Sequence, residues 1–278
     1  MARPVISLLT DFGLRDPSAA ICHGVILGIA PNAQVIDISH EVRKFAIRDG
    51  ALLLWSALPY LPVGTHVAVV DPGVGTSRRP IAVRVARGDT LIGPDNGLLL
   101  PAAERLGGAE EARLLENERF RLPTVSLSFH GRDIFAPAAA HLAAGVRFAE
   151  LGGIVPLDQL VQLTIGQARV TAGGLESAIV YIDTFGNVKL AGTLQDLESA
   201  LGTVQPGEPL QVEIGGPHGR SRATEHPVFA STFGDVPVGQ PLLYEDSYGR
   251  LCLADNQGDL AARLELTEDQ AITIRRPA

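Results

Sequence analysis

Along the first half of the chain, short apolar runs of strand length alternate with longer stretches whose apolar positions recur at helical spacing. Val5 to Leu9, Gln34 to Ile38, His66 to Val70, Ile81 to Val85 and Thr90 to Ile92 read as buried strands. Between them, Pro17 to Ala30, Ile47 to Leu58 and Asn96 to Leu106 read as helices, the first with Asp16 as N-cap and Pro17 at the first helical position. Asp133 to Ala144, closed by Gly145, reads as a further helix. Strands alternating with crossover helices predict an α/β domain with a largely parallel central sheet and helices on both faces.

The pattern changes beyond about Ala168. Ala178 to Ile182, Leu210 to Ile214, Pro241 to Tyr244, Leu251 to Ala254, Ala261 to Leu266 and Ala271 to Ile274 are short strand candidates separated by glycine and proline turns. One helical piece falls near Leu194 to Ala200. Regularly spaced short strands without crossovers predict an all-β antiparallel, barrel-like domain. The expected division is an α/β domain over 1–165, a linker over 166–174 and a β-barrel domain over 175–278. Two such domains leave a cleft at their interface or, in an oligomer, between neighbouring subunits.

Composition narrows the function. The chain has 278 residues, 46% of them hydrophobic, enough to bury a full core without staples. Cys22 and Cys252 stand far apart with no C-x-x-C, which excludes a disulfide framework and a thiolate zinc site. The opening apolar run is too short for a signal peptide, and no apolar stretch reaches the ~18 residues of a membrane span, so a cytoplasmic protein with no membrane partner is expected. With 23 basic and 31 acidic residues the net charge is −8, and the basic groups are not segregated, which argues against a nucleic-acid partner. Lys44 and Lys189 are the only lysines.

Ligands of open α/β sheets bind beyond the carboxyl ends of the strands, so polar residues directly after apolar runs are the first candidates. Thr10 to Asp16 follows the first strand, Ser39-His40 the second, Asp71 to Arg78 the third, and Gly93 to Gly97 the fifth. Asp16 and Asn96 are as well explained as caps. Asp11 precedes Phe-Gly rather than a helix start, and a carboxylate there can accept both hydroxyls of a ribose. Asp11-Phe12-Gly13 is not a kinase magnesium motif, because no glycine-rich or catalytic loop precedes it. Gly73-Val74-Gly75 is not a dinucleotide fingerprint, because Arg78 stands where the third glycine belongs. The seven histidines show no metal-ligand spacing, so no metal is expected.

Leu9-Thr10-Asp11-Phe12-Gly13, Asp37-Ile38-Ser39-His40, Val69 to Thr76, Gly93 to Gly97, Phe129 to Pro137 and Ile182 to Asn187 are ordered blocks covering nearly the whole chain. Together they resemble the S-adenosylmethionine hydroxide adenosyltransferase family, whose relatives are S-adenosylmethionine-dependent fluorinases and chlorinases. The resemblance implies an α/β domain followed by a β-barrel, assembled as a homotrimer with each site between the first domain of one subunit and the second of its neighbour. It implies hydrolysis of S-adenosylmethionine to adenosine and L-methionine without a cofactor, by attack of water or hydroxide on the ribose C5′.

By the same resemblance, Asp71, Arg78 and His130 form the catalytic triad, Arg78 favouring an anionic nucleophile, Asp71 orienting it and His130 positioning it or accepting its proton. Asp11 matches the ribose-diol carboxylate, Asp16 and Ser18 contacts around the methionine end, and Phe45 an aromatic packed on the sugar. Asp183 matches the partner of the methionine ammonium, Phe185 and Asn187 the adenine contacts, Phe233 a second stacking face, and Ser247 the loop that takes the methionine carboxylate. Two positions depart from the pattern: Tyr248 replaces an arginine of the halogenating relatives, and Lys189-Leu190-Ala191-Gly192 replaces the usual Thr-Asn continuation. The halogenases carry a tyrosine at the place of Asp71, and fluorinases a serine at that of Gly131, which favours a hydrolase over a chlorinase-like enzyme. A non-catalytic adenosine or S-adenosylmethionine binder would be expected to have lost the triad.

Overall fold

The computed structural model describes residues 3–215 and 221–277, which divide into two compact units on either side of the Leu163–Thr164 bond.

In the first unit, β1 (Val5–Thr10), β2 (Gln34–Ser39), β3 (Thr65–Val69), β4 (Pro80–Val85), β5 (Thr90–Pro94), β6 (Ala109–Leu114) and β7 (Ile154–Val155) form one sheet in the order β2-β1-β3-β5-β4-β6-β7. The pairs among β2, β1, β3 and β5 are parallel, whereas β4 pairs antiparallel with both β5 and β6, and β6 with β7. The sheet is therefore mixed, which corrects the expectation of a largely parallel one. The cause lies in two connections. Residues 70–79 carry no helix to return the chain to the same end of the sheet, and residues 86–89 make only a tight turn, which can join antiparallel strands alone.

Helices α1 (Ser18–Ile29) and α4 (Ala136–Ala143) pack with Ile6, Leu8 and Phe135 on one face of this sheet. On the other face α2 (Ile47–Ala57) and α3 (Leu100–Arg105) pack with Leu9, Val70 and Val83. The alternation of Leu8 and Leu9 between the two cores is the period of a strand buried on both faces. Helix α3 starts later than the pattern predicts, because Asn96 turns inward: its Nδ2 donates to the Val70 carbonyl and its Oδ1 accepts from Leu98 N. Ahead of α4, Gly131–Phe135 is a single π-helical turn rather than a start of α-helix at Asp133.

Ser7, His66 and Asp89 form a fully buried hydrogen-bonded line, with Ser7 Oγ 2.8 Å from His66 Nδ1 and His66 Nε2 2.9 Å from Asp89 Oδ1. It has the composition of a hydrolase triad but no access for a substrate, so its role is to tie β1 and β3 to the turn before β5. Burial pushes the Asp89 carboxyl up, yet hydrogen bonds from His66, Arg87 and Gly64 N outweigh it and hold the group well below the usual carboxylate range. An unfolded aspartate titrates near 3.9, so the resulting stabilisation is complete above that pH and is lost as pH falls toward the folded value. Thermal melts from pH 7 to pH 2 should show Asp89→Asn less stable than the parent at neutrality, and a smaller loss for the variant on the acid limb. Both cysteines are buried, and burial raises each thiol to about 12, so neither is a thiolate nucleophile.

The second unit holds β8 (Arg169–Thr171), β9 (Gly174–Ile182), β10 (Val188–Leu190), α5 (Leu194–Leu201), β11 (Gln211–Gly215), β12 (Ser221–Glu225), β13 (Val228–Phe229), β14 (Pro241–Glu245), β15 (Leu251–Asp255), α6 (Leu260–Leu264) and β16 (Ala271–Arg275). Its 9-stranded sheet runs β12-β11-β16-β9-β10-β15-β14-β13 with β8 beside β9, and curls as a half-barrel around Leu175, Val188, Leu243 and Leu253. Its pairs are antiparallel except for β13 with β14. The expected strand over 261–266 is instead α6, because Asp259 caps it by accepting from Ala262 N while Leu260 and Ala261 turn into the core. Helix α5 carries a complete capping box, Thr193 with Asp196.

Candidate active site

The segment after β3 turns sharply. Val74 N donates to the Asp71 carbonyl, Thr76 N and Thr76 Oγ1 donate to that of Gly73, and Gly75 stands at φ +77°. A Cβ on Gly75 would lie 2.3 Å from the Leu127 carbonyl oxygen, so only glycine lets this turn close against the chain that carries His130. The turn sets Arg78 back over Asp71. Arg78 Nε donates to both carboxylate oxygens at 3.0 and 2.9 Å, and Nη2 to Oδ2 at 2.5 Å.

The same Nη2 stands 2.7 Å from His130 Nδ1. A guanidinium only donates, so Nδ1 is the acceptor and the ring proton of neutral His130 sits on Nε2. Burial, and after it the charge of Arg78, holds His130 below the ordinary imidazole value; Asp71 and the Ser126 carbonyl oppose this only in part. Both the downward shift and the bond from Arg78 favour the neutral ring, since protonating Nδ1 would break that bond. The Asp71 and Arg78 side chains are 5% and 10% exposed, and the guanidinium packs 5.3 Å from the centre of the Phe135 ring.

Two members of this cluster, Asp71 and His130, belong to the wall of a cavity of about 320 Å³. Asp71 and His130 line it with Asp11, Phe12, Lys44, Phe45, Ser128, Phe129 and Gly131. Asp11 Oδ2 accepts from Phe45 N, and Phe45 sits at φ +65°, so one carboxylate oxygen holds the strained turn that presents the Phe45 ring. Asp16 and Ser18 do not line the cavity. Asp16 accepts from Ser18 N in a turn just ahead of α1, whose N-cap position is Pro17 and not Asp16 as the sequence pattern suggests, and its hydrogen bonds from Ser18 lower its pKa. The sequence reading left out Phe12, Lys44 and Ser128; Lys44 was signalled only by the scarcity of lysine.

A second pocket, of about 820 Å³, lies in the second unit. Asp183, Phe185, Asn187, Phe233 and Ser247 all line it. Asp183 Oδ1 accepts from the backbone of Phe185 and Asn187, and Oδ2 from Asn187 Nδ2, which closes a turn that leaves the Phe185 ring 75% exposed. Gly186 completes the turn at φ +79°. Phe233 packs against Tyr244 with ring centres 5.0 Å apart and ring planes tilted at 59°.

Lys189, seen in the sequence only as a departure, reaches into this pocket. Its Nζ donates to Asp246 Oδ2 at 2.6 Å and lies 5.6 Å from the centre of the Tyr248 ring. Burial works against its charge, but the neighbouring Cys252, the hydrogen bond and charge of Asp246, and Asp183 prevail and raise its pKa. Each of the chain's two lysines therefore lines one of these pockets.

Residues 6–152 match the N-terminal domain, and residues 177–273 the C-terminal domain, of the family described as SAM hydroxide adenosyltransferase. The (R)-S-adenosyl-L-methionine hydrolase of Salinispora tropica is 42% identical over 272 residues, spanning 98% of this chain and 97% of that relative. A fluorinase of Actinopolyspora mzabensis is 29% identical over 304 residues, spanning 99% of this chain and 98% of its own. Among solved structures, an uncharacterized conserved protein from Thermotoga maritima is similar with a TM-score of 0.89 at 34% identity, covering 98% of this chain and all of that one.

Proposed function

This chain belongs to the SAM hydroxide adenosyltransferase family, and from that premise we propose that it hydrolyses S-adenosyl-L-methionine to adenosine and L-methionine. The observation that carries the reading is that Asp71 and His130, joined through Arg78 behind them, line a cavity shared with Asp11.

The reaction asks little of a leaving-group catalyst. The C5′–S bond breaks with its electron pair going to sulfur, so methionine departs as a neutral thioether and needs neither a proton nor a metal. Water supplies the oxygen of the new C5′–O bond and releases one proton. Neutral His130, with its proton on Nε2, is a donor able to hold that oxygen, and for the same reason it is not the base. The remaining acceptor in the cluster is the Asp71 carboxylate, toward which the water proton moves as the C–O bond forms. Arg78 holds Asp71 and His130 in mutual register and supplies positive charge where hydroxide character develops.

The ribose diol is assigned to Asp11, with Phe45 on the sugar and Asp16 and Ser18 toward the methionine end. The ammonium is assigned to Asp183, the adenine to Phe185, Asn187 and Phe233, and the carboxylate to the loop of Ser247. The proposal includes a cytoplasmic homotrimer, which light scattering of the purified protein tests for assembly. Among the described residues no helix is long and apolar enough to cross a membrane.

The competing reading is halide transfer, as the name of the fluorinase relative indicates for that protein. A carboxylate at Asp71 repels a halide, and the serine of fluorinases at Gly131 would require the Phe12 ring to move, since a Cβ there would lie 2.8 Å from its tip. Incubation of the protein with S-adenosylmethionine and excess chloride should yield adenosine and methionine in equal amounts. Accumulation of 5′-chloroadenosine would overturn the hydrolase reading.

A further inference from the structure

Among the described residues, one group of side chains can converge on a metal ion: His23 on α1, Asp37 on β2 and His40 directly after β2. We propose that these three residues bind a divalent transition-metal ion of the Zn²⁺ type, at a site separate from the cavity cluster. Their ligand atoms lie within 4.8 Å of one another, with Asp37 Oδ1 2.7 Å from His23 Nε2 and 3.0 Å from His40 Nε2. A tetrahedral ion with bonds of about 2.1 Å places its ligands about 3.4 Å apart, so small side-chain adjustments suffice.

A second observation sets this group apart from an ordinary surface cluster. His40 is 96% buried, at 4% exposure, and its Nε2 has no hydrogen-bond partner in acceptable geometry, although Asp37 is close. A buried imidazole nitrogen left without a partner costs free energy that a metal bond would recover. On its far side, His40 Nδ1 is 2.8 Å from Thr10 Oγ1, the outer contact that metal-bound histidines ordinarily make to fix ring orientation and tautomer. His23 and Asp37 are 30% and 45% exposed, which leaves an entry path and room for a water ligand.

Two imidazoles and one carboxylate suit Zn²⁺ and Ni²⁺ rather than Mg²⁺ or Ca²⁺. The site also touches the cavity loop. Thr10 Oγ1 accepts from Phe12 N at 3.3 Å, and Phe12 lines the cavity. An ion on His40 Nε2 would fix the proton on Nδ1, directed at Thr10. Sequence spacing conceals the site, because its ligands come from a helix and the end of the following strand.

The test is calorimetric titration of the chelator-treated full-length protein with ZnCl₂, beside Co²⁺ absorption spectra. The parent should take up one Zn²⁺ per chain and give the visible bands of low-symmetry Co²⁺. His23→Gln keeps an amide able to bond Asp37 but removes a metal-binding imidazole. It should weaken uptake by at least about a hundredfold, more than typical losses at an outer-shell partner, and so should Asp37→Asn. No stoichiometric uptake by the parent would overturn the proposal, as would unchanged uptake in both variants. A lowered melting temperature in His23→Gln without metal uptake by the parent would identify a hydrogen-bonded clamp between α1 and β2, and would equally overturn it.

Discussion

Asp71→Asn should lower the rate of adenosine formation by about two to four orders of magnitude, the range for loss of a positioned acid or base, with KM changed only a few-fold. Asparagine preserves the volume and an oxygen that accepts from Arg78, so the turn over 71–78 keeps its shape. What it removes is the charge and the basicity. In the parent this carboxylate takes three hydrogen bonds from one guanidinium while lining the cavity, so it anchors Arg78 and, in the proposed mechanism, is the group that takes the water proton. A parent-like rate of adenosine release, measured by chromatography on protein with a parent-like melting curve, would exclude Asp71 from the chemistry.

Arg78→Met should cost about two to three orders of magnitude in kcat, comparable to losing a preorganised donor at a developing charge, and it carries an independent readout. Its charge is the second cause, after burial, that holds His130 below the usual imidazole range. Removing a cation beside a titrating imidazole favours the protonated form, so the His130 pKa should rise. Proton NMR of the His130 ring should show its titration at higher pH in Arg78→Met than in the parent. The parent rate should fall only when pH drops below the ordinary histidine range, as protonated Nδ1 loses the bond from Arg78. Arg78→Lys should recover little activity, because a single ammonium on a flexible stem does not span both carboxylate oxygens and the imidazole. An unmoved His130 titration in Arg78→Met would show that the two side chains are uncoupled in solution.

Much of the architecture was legible along the chain because apolar periodicity is a local property. The strands at Val5, Gln34 and Ile81 and the helices at Ile47 and Leu194 follow from it directly. The mixed sheet did not, since strand direction depends on whether residues 70–79 and 86–89 can return the chain to the same end of the sheet. Residues 261–266 failed for a different reason. A short apolar run suits either a strand or a helix, and the cap from Asp259 decided it.

At the site, the sequence by itself determined the chemical inventory: which carboxylates, which arginine and which histidine follow apolar runs, and the motif blocks that identify the family. Side-chain identity is written in the chain. Relative position is not. Arg78 and His130 stand 52 residues apart, and only the folded chain brings them to 2.7 Å, which settles that His130 accepts at Nδ1 and keeps its proton on Nε2. The tertiary structure likewise decided that Lys189 enters the second pocket and that His23, Asp37 and His40 meet. The physical reason is common to all of these: hydrogen-bond direction and burial are properties of pairs of groups, and pairs are made by packing.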